Sequence, residues 1–197
     1  MLDAAALSRL ASASRLVIGV VADTHVPDRL PALRPQVLEV FTRAQVDVIL
    51  HAGDICTPQV LDALGEVAPV IAVKGNRDWA FGASLPALWQ GVLGGVPAAL
   101  LHGHGSPMDY WRDKIAYLTR GYAFERYAAL ASAWAPDARL LVFGHSHTAE
   151  NRQVGDRLYF NPGSACVSER RDLPPTVGML RVAAGKVTGD IIPLNIP

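Results

Sequence analysis

The chain has little cysteine, no surplus of charge and no long apolar run, and each shortage removes a class of protein. Its 197 residues include two cysteines, Cys56 and Cys166, too few for a disulfide framework and not arranged as C-x-x-C. A reduced, cytoplasmic chain is the expectation. Eighteen Lys plus Arg balance eighteen Asp plus Glu. A protein held mainly by nucleic-acid phosphates or anionic lipid would carry a positive excess, so no stable nucleic-acid binding is expected. No apolar stretch approaches the ~18 residues that span a bilayer, and no membrane segment is expected. A secretory leader would place a basic start and an apolar stretch before its small-residue cleavage site. Here the chain starts Met1-Leu2-Asp3, and the apolar run Leu16 to Ala22 follows the triplet Ala11-Ser12-Ala13.

Half of the residues are apolar, enough for a sizeable core in one domain. Residues 1–15 are set apart as an N-terminal extension, with a frayed tail or short helix over 1–14, and 16–197 form the domain. The apolar runs are short, and five of them stop at polar motifs. The runs Leu16 to Val21, Val46 to Leu50, Val70 to Val73, Val96 to Leu101 and Leu140 to Phe143 suit strands buried on both faces. Pro35 to Ala44 has helical spacing, and Thr57-Pro58 reads as an N-cap with proline at the first helical position. This alternation predicts parallel βαβ units, whose ligands gather at the carboxyl ends of the strands. Gly94-Gly95 predicts a hairpin. Asp109 to Ala133 reads as helix broken at Gly121, with Trp111, Tyr117, Tyr122 and Phe124 in the core. The turn-rich remainder, including Gly155-Asp156 and Ala184-Gly185, predicts a second, more antiparallel sheet. Together these give an α/β domain of two packed sheets.

What the chain does have is histidine in telling places. All six histidines lie in the motifs Asp23-Thr24-His25, His51-Ala52-Gly53-Asp54, His102-Gly103-His104 and Gly144-His145-Ser146-His147, joined by a fifth motif, Gly75-Asn76. Neutral imidazole is the commonest metal-binding side chain. With carboxylate and amide oxygens it makes an N/O set suited to divalent transition metals. A single D-x-H is weak evidence; five motifs at five strand ends point to a metalloenzyme.

In this order the motifs D-x-H, G-D, G-N, H-G-H and G-H-S-H resemble the calcineurin-like metallophosphoesterase superfamily, from about Leu16 to the end of the chain. The short length and Asn161-Pro162-Gly163-Ser164 are similar to its small phosphodiesterase branch. The resemblance implies an α/β/β/α sandwich of two mixed sheets and two divalent ions, with Mn²⁺ favoured over Fe, Ni or Zn. It implies Asp23, His25 and His147 on one ion, Asn76, His102 and His145 on the other, and Asp54 bridging. A metal-bridging hydroxide would then attack phosphorus in line. Cys56 is set aside as a small buried residue beside the bridging loop.

One position departs from the family pattern, because Arg77 follows the G-N where many members carry histidine. Guanidinium cannot usefully donate its proton, but it can grip phosphate through two hydrogen bonds. Arg77, otherwise paired with Asp78, is therefore assigned to transition-state charge, beside Asn76, and His104 to proton donation. His51 is placed in a supporting role. Gly53 and Gly75 are expected to let the backbone turn sharply, and Asn161 to Ser164 to form a supporting turn. The implied activity is hydrolysis of small phosphodiesters, including nucleotide-derived ones. The alternatives are a monoesterase or protein phosphatase, and a protein-interaction scaffold of the same fold. A homo-oligomer is compatible with the sequence.

Overall fold

The computed structural model of the chain describes residues 2–79, 84–167 and 173–194. Residue 1 of the expected extension and the last three residues of the expected domain fall outside these. Among the described residues no helix is long and apolar enough to cross a membrane.

The first apolar run forms β1 (Arg15–Val21), and its side chains alternate between two cores: Ile18 and Val20 enter one, Val17 and Val21 the other. Alternation of period two is what a pleated strand imposes. β1 pairs in parallel with β2 (Val48–His51), and β2 with β3 (Val70–Ala72). The crossovers are α2 (Pro35–Ala44), which buries Val37 and Phe41, and α3 (Pro58–Gly65), which buries Val60 and Leu64. Thr57 does occupy the N-cap of α3, but its side chain makes no capping hydrogen bond. The hydroxyl is instead bonded to the Gln59 amide oxygen.

The Gly94-Gly95 turn joins β4 (Leu88–Leu93) to β5 (Val96–Leu101). Two helices follow, α4 (Pro107–Arg120), closed by Gly121, and α5 (Phe124–Trp134). Then come β6 (Leu140–Val142), β7 (Glu150–Val154), β8 (Arg157–Asn161), β9 (Thr176–Ala183) and β10 (Lys186–Pro193). The strands make two five-stranded mixed sheets, ordered β10-β9-β1-β2-β3 and β4-β5-β6-β8-β7. This corrects one expectation. The C-terminal hairpin β9–β10 belongs to the first sheet, where β9 lies antiparallel along β1, with Ile18 opposite Leu180. The second sheet is not mainly antiparallel either, since β5, β6 and β8 run parallel.

Three apolar clusters separate the layers. One lies between the sheets and joins Ile18, Val20 and Leu50 to Leu100, Val142 and Phe160. A second lies under α2 and α3, and a third under α5, where Phe124, Tyr127 and Ala131 meet Leu141, Phe143 and Tyr159. The order is helices, sheet, sheet, helix. N-terminal residues fold as α1 (Ala4–Ser12), capped by Asp3. Its last turn accepts hydrogen bonds from Gly94 and Gly95, and Leu10 is buried.

α4 departs from its reading as core. Phe124 is buried, but Trp111 is 58% exposed, and Met108, Ile115 and Leu118 are exposed beside it. None of the described side chains of α4 is fully buried.

Candidate metal centre

The strand-end motifs converge because their strands lie side by side in two sheets that face each other. Asp23 and His25 follow β1, Asp54 follows β2, Asn76 follows β3, His102 follows β5, and His145 and His147 follow β6. Parallel strands end at the same edge, and loops from both sheets meet there.

The backbone turns tightly to aim these side chains. Asp23, His25, Asp54, His145 and His147 all have positive φ, between 50° and 68°. For residues other than glycine this left-handed region costs roughly 1–3 kcal/mol each and persists only where the surroundings over-determine it. Here the surroundings are hydrogen bonds that zip the loops together: Asp23 N–H to Gly53 O, His25 N–H to Asp54 O, and Gly144 N–H to His102 O, each 3.0 Å. Gly53 also has positive φ, at 91°. Gly75 does not, so its expected sharp turn is corrected to a close approach: a Cβ there would overlap Asp54 Oδ1 and the Asp54 amide nitrogen.

Two groups of donor atoms result. His25 Nε2 and His147 Nε2 face each other at 3.2 Å, with Asp23 Oδ1 3.3 Å from His147 Nε2. That Asp23 oxygen is buried and, among the described residues, has no hydrogen-bond partner. On the other side His102 Nε2 lies 3.1 Å from Asn76 Oδ1 and 3.3 Å from His145 Nδ1. Asp54 stands between them, with Oδ2 3.8 Å from His25 Nε2 and Oδ1 3.4 Å from His102 Nε2. Asp23, His25 and His147 lie close enough to hold one ion, and so do Asp23, Asp54 and His102. Lone pairs pointed at lone pairs, with an unpartnered buried carboxylate oxygen, fit a site built for cations.

The tautomer of His102 is set from behind, because its Nδ1 lies 2.7 Å from Ala52 O and must carry the proton. In the neutral ring that a metal ion requires, Nε2 is thereby the acceptor facing the centre. Burial keeps His25 uncharged, lowered to about 4, and burial with neighbouring His102 lowers His145 to about 3. Burial opposes charge on His102 too, but the Asp54 carboxylate overcomes it and raises that imidazole to about 9. His104 is lowered to about 4 by burial and by His102, so its ring is neutral at neutral pH.

His51 takes the supporting place expected of it. It is buried, accepts the Gly53 N–H at Nδ1 and reaches Thr24 Oγ1 with Nε2, holding the two loops that carry Asp23 and Asp54. Ser164 supports from the other side by donating to Asp23 O. Cys56 is half-buried rather than buried, lies 3.9 Å from His25 Nδ1, and is pushed up to about 12 by burial and Asp78, so it stays a thiol.

Asp78 is the residue that sequence reasoning misjudged. It does not pair with Arg77. Its carboxylate is buried and accepts from the backbone N–H of Ile55, Cys56 and Gly75 at 2.7–2.8 Å, fastening the Asp54 loop to the Asn76 loop. The Arg77 guanidinium instead pairs with Asp28 at 3.0 Å on the rim. A second unforeseen carboxylate, Asp113 of α4, lies 4.0 Å from His145 Nε2 and is held by Arg126 and the Tyr127 hydroxyl.

The chain is similar to several known proteins. A probable metallophosphoesterase of Methanothermobacter thermautotrophicus is 33% identical over 182 residues, 92% of this chain and 95% of that protein. Wild-type Vps29 of Entamoeba histolytica, complexed with Zn²⁺, shares the fold with a TM-score of 0.65 at 24% identity, covering 91% of this chain and all of that one. A structure described as a novel archaeal phosphodiesterase has a TM-score of 0.61 at 21% identity, covering 90% of this chain and all of that one. The calcineurin-like phosphoesterase superfamily domain matches residues 16–185. With its fold, its strand-end motifs and a family match over most of its length, the chain belongs to the calcineurin-like phosphoesterase superfamily.

Proposed function

We propose that the protein is a metal-dependent phosphodiesterase acting on small diesters. The observation that carries this reading is the convergence of seven N/O side chains into two sets that share Asp54. Asp23, His25 and His147 would hold one divalent ion, and Asn76, His102 and His145 the other, with Mn²⁺ the first choice for both. When bound, such a pair supplies Lewis acidity and an activated water at neutral pH.

The remaining work falls to the chain's own residues. Ala52 O keeps the His102 proton on Nδ1, and Asp54, anchored by the Arg77 N–H at 2.8 Å, keeps its second oxygen free for the other set. The Arg77 guanidinium, 46% exposed at the rim, would exchange Asp28 for the phosphate oxygens and neutralise developing charge. His104 is assigned to the leaving oxygen. At neutral pH it acts as a neutral N–H donor and becomes a full acid only near its depressed value of about 4.

A diester is favoured over a monoester because space opens on both sides of Asp113. One cavity, about 260 Å³, runs past His104 and Arg112, and another, about 230 Å³, past Tyr110 and His145. Two ester arms would use both. The scaffold reading is favoured by a different observation, the exposed row Met108, Trp111, Ile115 and Leu118, because large exposed apolar patches mark interaction sites.

The test is hydrolysis of bis(p-nitrophenyl) phosphate beside p-nitrophenyl phosphate by chelator-stripped protein refilled with Mn²⁺, with Asp54→Asn as control and metal content measured throughout. Metal-dependent diester turnover that collapses in the variant is the expected result. Faster monoester than diester turnover would turn the reading to a monoesterase. Two bound ions without turnover of either ester would turn it to a scaffold.

A further inference from the structure

We propose that the cavity between α4 and the metal centre is a subsite for a flat aromatic substituent of the substrate, of nucleobase or aryl size. This rests on the phosphoesterase reading of the centre. Tyr110, Lys114, Tyr117 and Leu118 of α4 line one side, and His145 and Ser146 the other. His145 connects this cavity to the chemistry. Its Nδ1 lies 3.3 Å from His102 Nε2, which puts the cavity within reach of an ester arm on a phosphorus held at the centre.

The lining selects for aromatic character. The Tyr110 ring lies 5.9 Å from the His145 ring and the Tyr127 ring 6.4 Å from it, centroid to centroid. Lys114 Nζ hangs 5.8 Å from the Tyr110 ring and 5.3 Å from the Trp111 ring. An incoming ring can stack on Tyr110 and offer its own face to the ammonium, gaining both contacts at once. An alkyl arm gains only the area it covers. The volume of about 230 Å³ falls below the roughly 300–1,000 Å³ of sites for drug-sized ligands, which limits the occupant to one ring system. Lys114 at the edge adds a preference for rings with electron-rich faces.

The same centre with a blocked subsite would still hydrolyse diesters, so the subsite has its own test. Three diesters share a p-nitrophenyl leaving group and differ in the other arm, which is methyl, phenyl or 5′-thymidyl. In the Mn²⁺-loaded protein the phenyl and thymidyl arms are expected to raise kcat/KM about tenfold over methyl, mostly through KM. In Tyr110→Ala/Tyr117→Ala that ratio should fall to about twofold with metal content unchanged. Calorimetric titration with phenylphosphonate and methylphosphonate supplies a readout without turnover, and phenylphosphonate should bind about tenfold tighter only where the tyrosines are present. A thymidyl advantage without a phenyl advantage would point to sugar contacts and overturn the aromatic subsite, as would equal binding of the two phosphonates. No turnover of any diester, with the phosphonate preference intact, would instead sink the catalytic reading and leave the subsite standing.

Discussion

At the scale of single residues, the centre depends on two side chains outside the expected ligand set. Arg77 sits at the rim and touches the centre only through its backbone, which donates to Asp54 Oδ1. Arg77→Ala keeps that backbone bond, so metal content should be unchanged. It removes a guanidinium worth about 1.5–3 kcal/mol in charge-assisted hydrogen bonds, so kcat/KM should fall about 10- to 100-fold. Metal loss measured in this variant would refute the assignment. Asp78 should behave in the opposite way. Asp78→Ala leaves three N–H groups without that acceptor, two buried and the third on half-buried Cys56, and each buried orphan costs about 1–3 kcal/mol. A fall in Tm of about 10 °C or more is expected from ~3 kcal/mol or more at this chain length, together with weaker metal binding as the Asp54 and Asn76 loops separate. An unchanged Tm would show that water replaces the carboxylate.

At the scale of elements, the loops matter more than the strands they follow. Gly75→Ala keeps an ordinary backbone conformation but drives a methyl group into the Asp54 carboxylate. The expected outcome is a folded protein, by circular dichroism, that has lost metal binding at the shared position; full metal content would place Asp54 elsewhere. Phe41→Ala is the contrast. Phe41 joins α2 to the first sheet with no exposed surface, and its removal should cost about 3–5 kcal/mol in a urea titration while metal-bound activity at low urea persists. Element type was legible in the sequence because apolar periodicity and Gly or Pro punctuation are local signals. Strand partnership was not. The hairpin around Ala184 reads equally well as an edge of either sheet, and only burial of Leu180 and Val182 between the sheets, beside Ile18, decides it. The exposed face of α4 was misread for the same reason: Trp111 has core composition, but nothing in the sequence says that no layer covers it. The expected metal-site residues were placed together because each ends an apolar run. Asp78 was misjudged because its partners are backbone amides, and Asp113 escaped notice because its partners lie on the following helix.

At the scale of the whole molecule, the buried histidines couple folding to pH. In an unfolded chain histidine titrates near 6.5. In the folded, metal-free protein burial holds His25 and His104 near 4, and His51 and His145 near 3. As pH falls below 6.5, the unfolded chain takes up protons at these positions that the folded protein refuses, so stability falls with pH. His102 acts in the other direction. Its stabilising contribution is complete below 6.5 and is lost as pH rises through about 9. Between pH 6.5 and 4 it is protonated in both states and leaves the slope alone. The four depressed histidines win there, each contributing on the order of 1 kcal/mol per pH unit. That is a large share of the roughly 5–15 kcal/mol that holds a domain folded. Urea unfolding of chelator-treated protein should therefore give midpoints that drop steeply from about pH 6.5 to pH 5, with greatest stability near 6.5 and a shallower decline toward 9 as the His102 contribution is lost. Adding Mn²⁺ at pH 7 to 100 times its Kd should contribute about 2.7 kcal/mol, and that increment should shrink on acidification because ion and proton compete for the same nitrogens. Midpoints that stay flat or rise from pH 7 to 5 would mean that these imidazoles are charged in the folded protein, and that the centre is not built from neutral nitrogen donors.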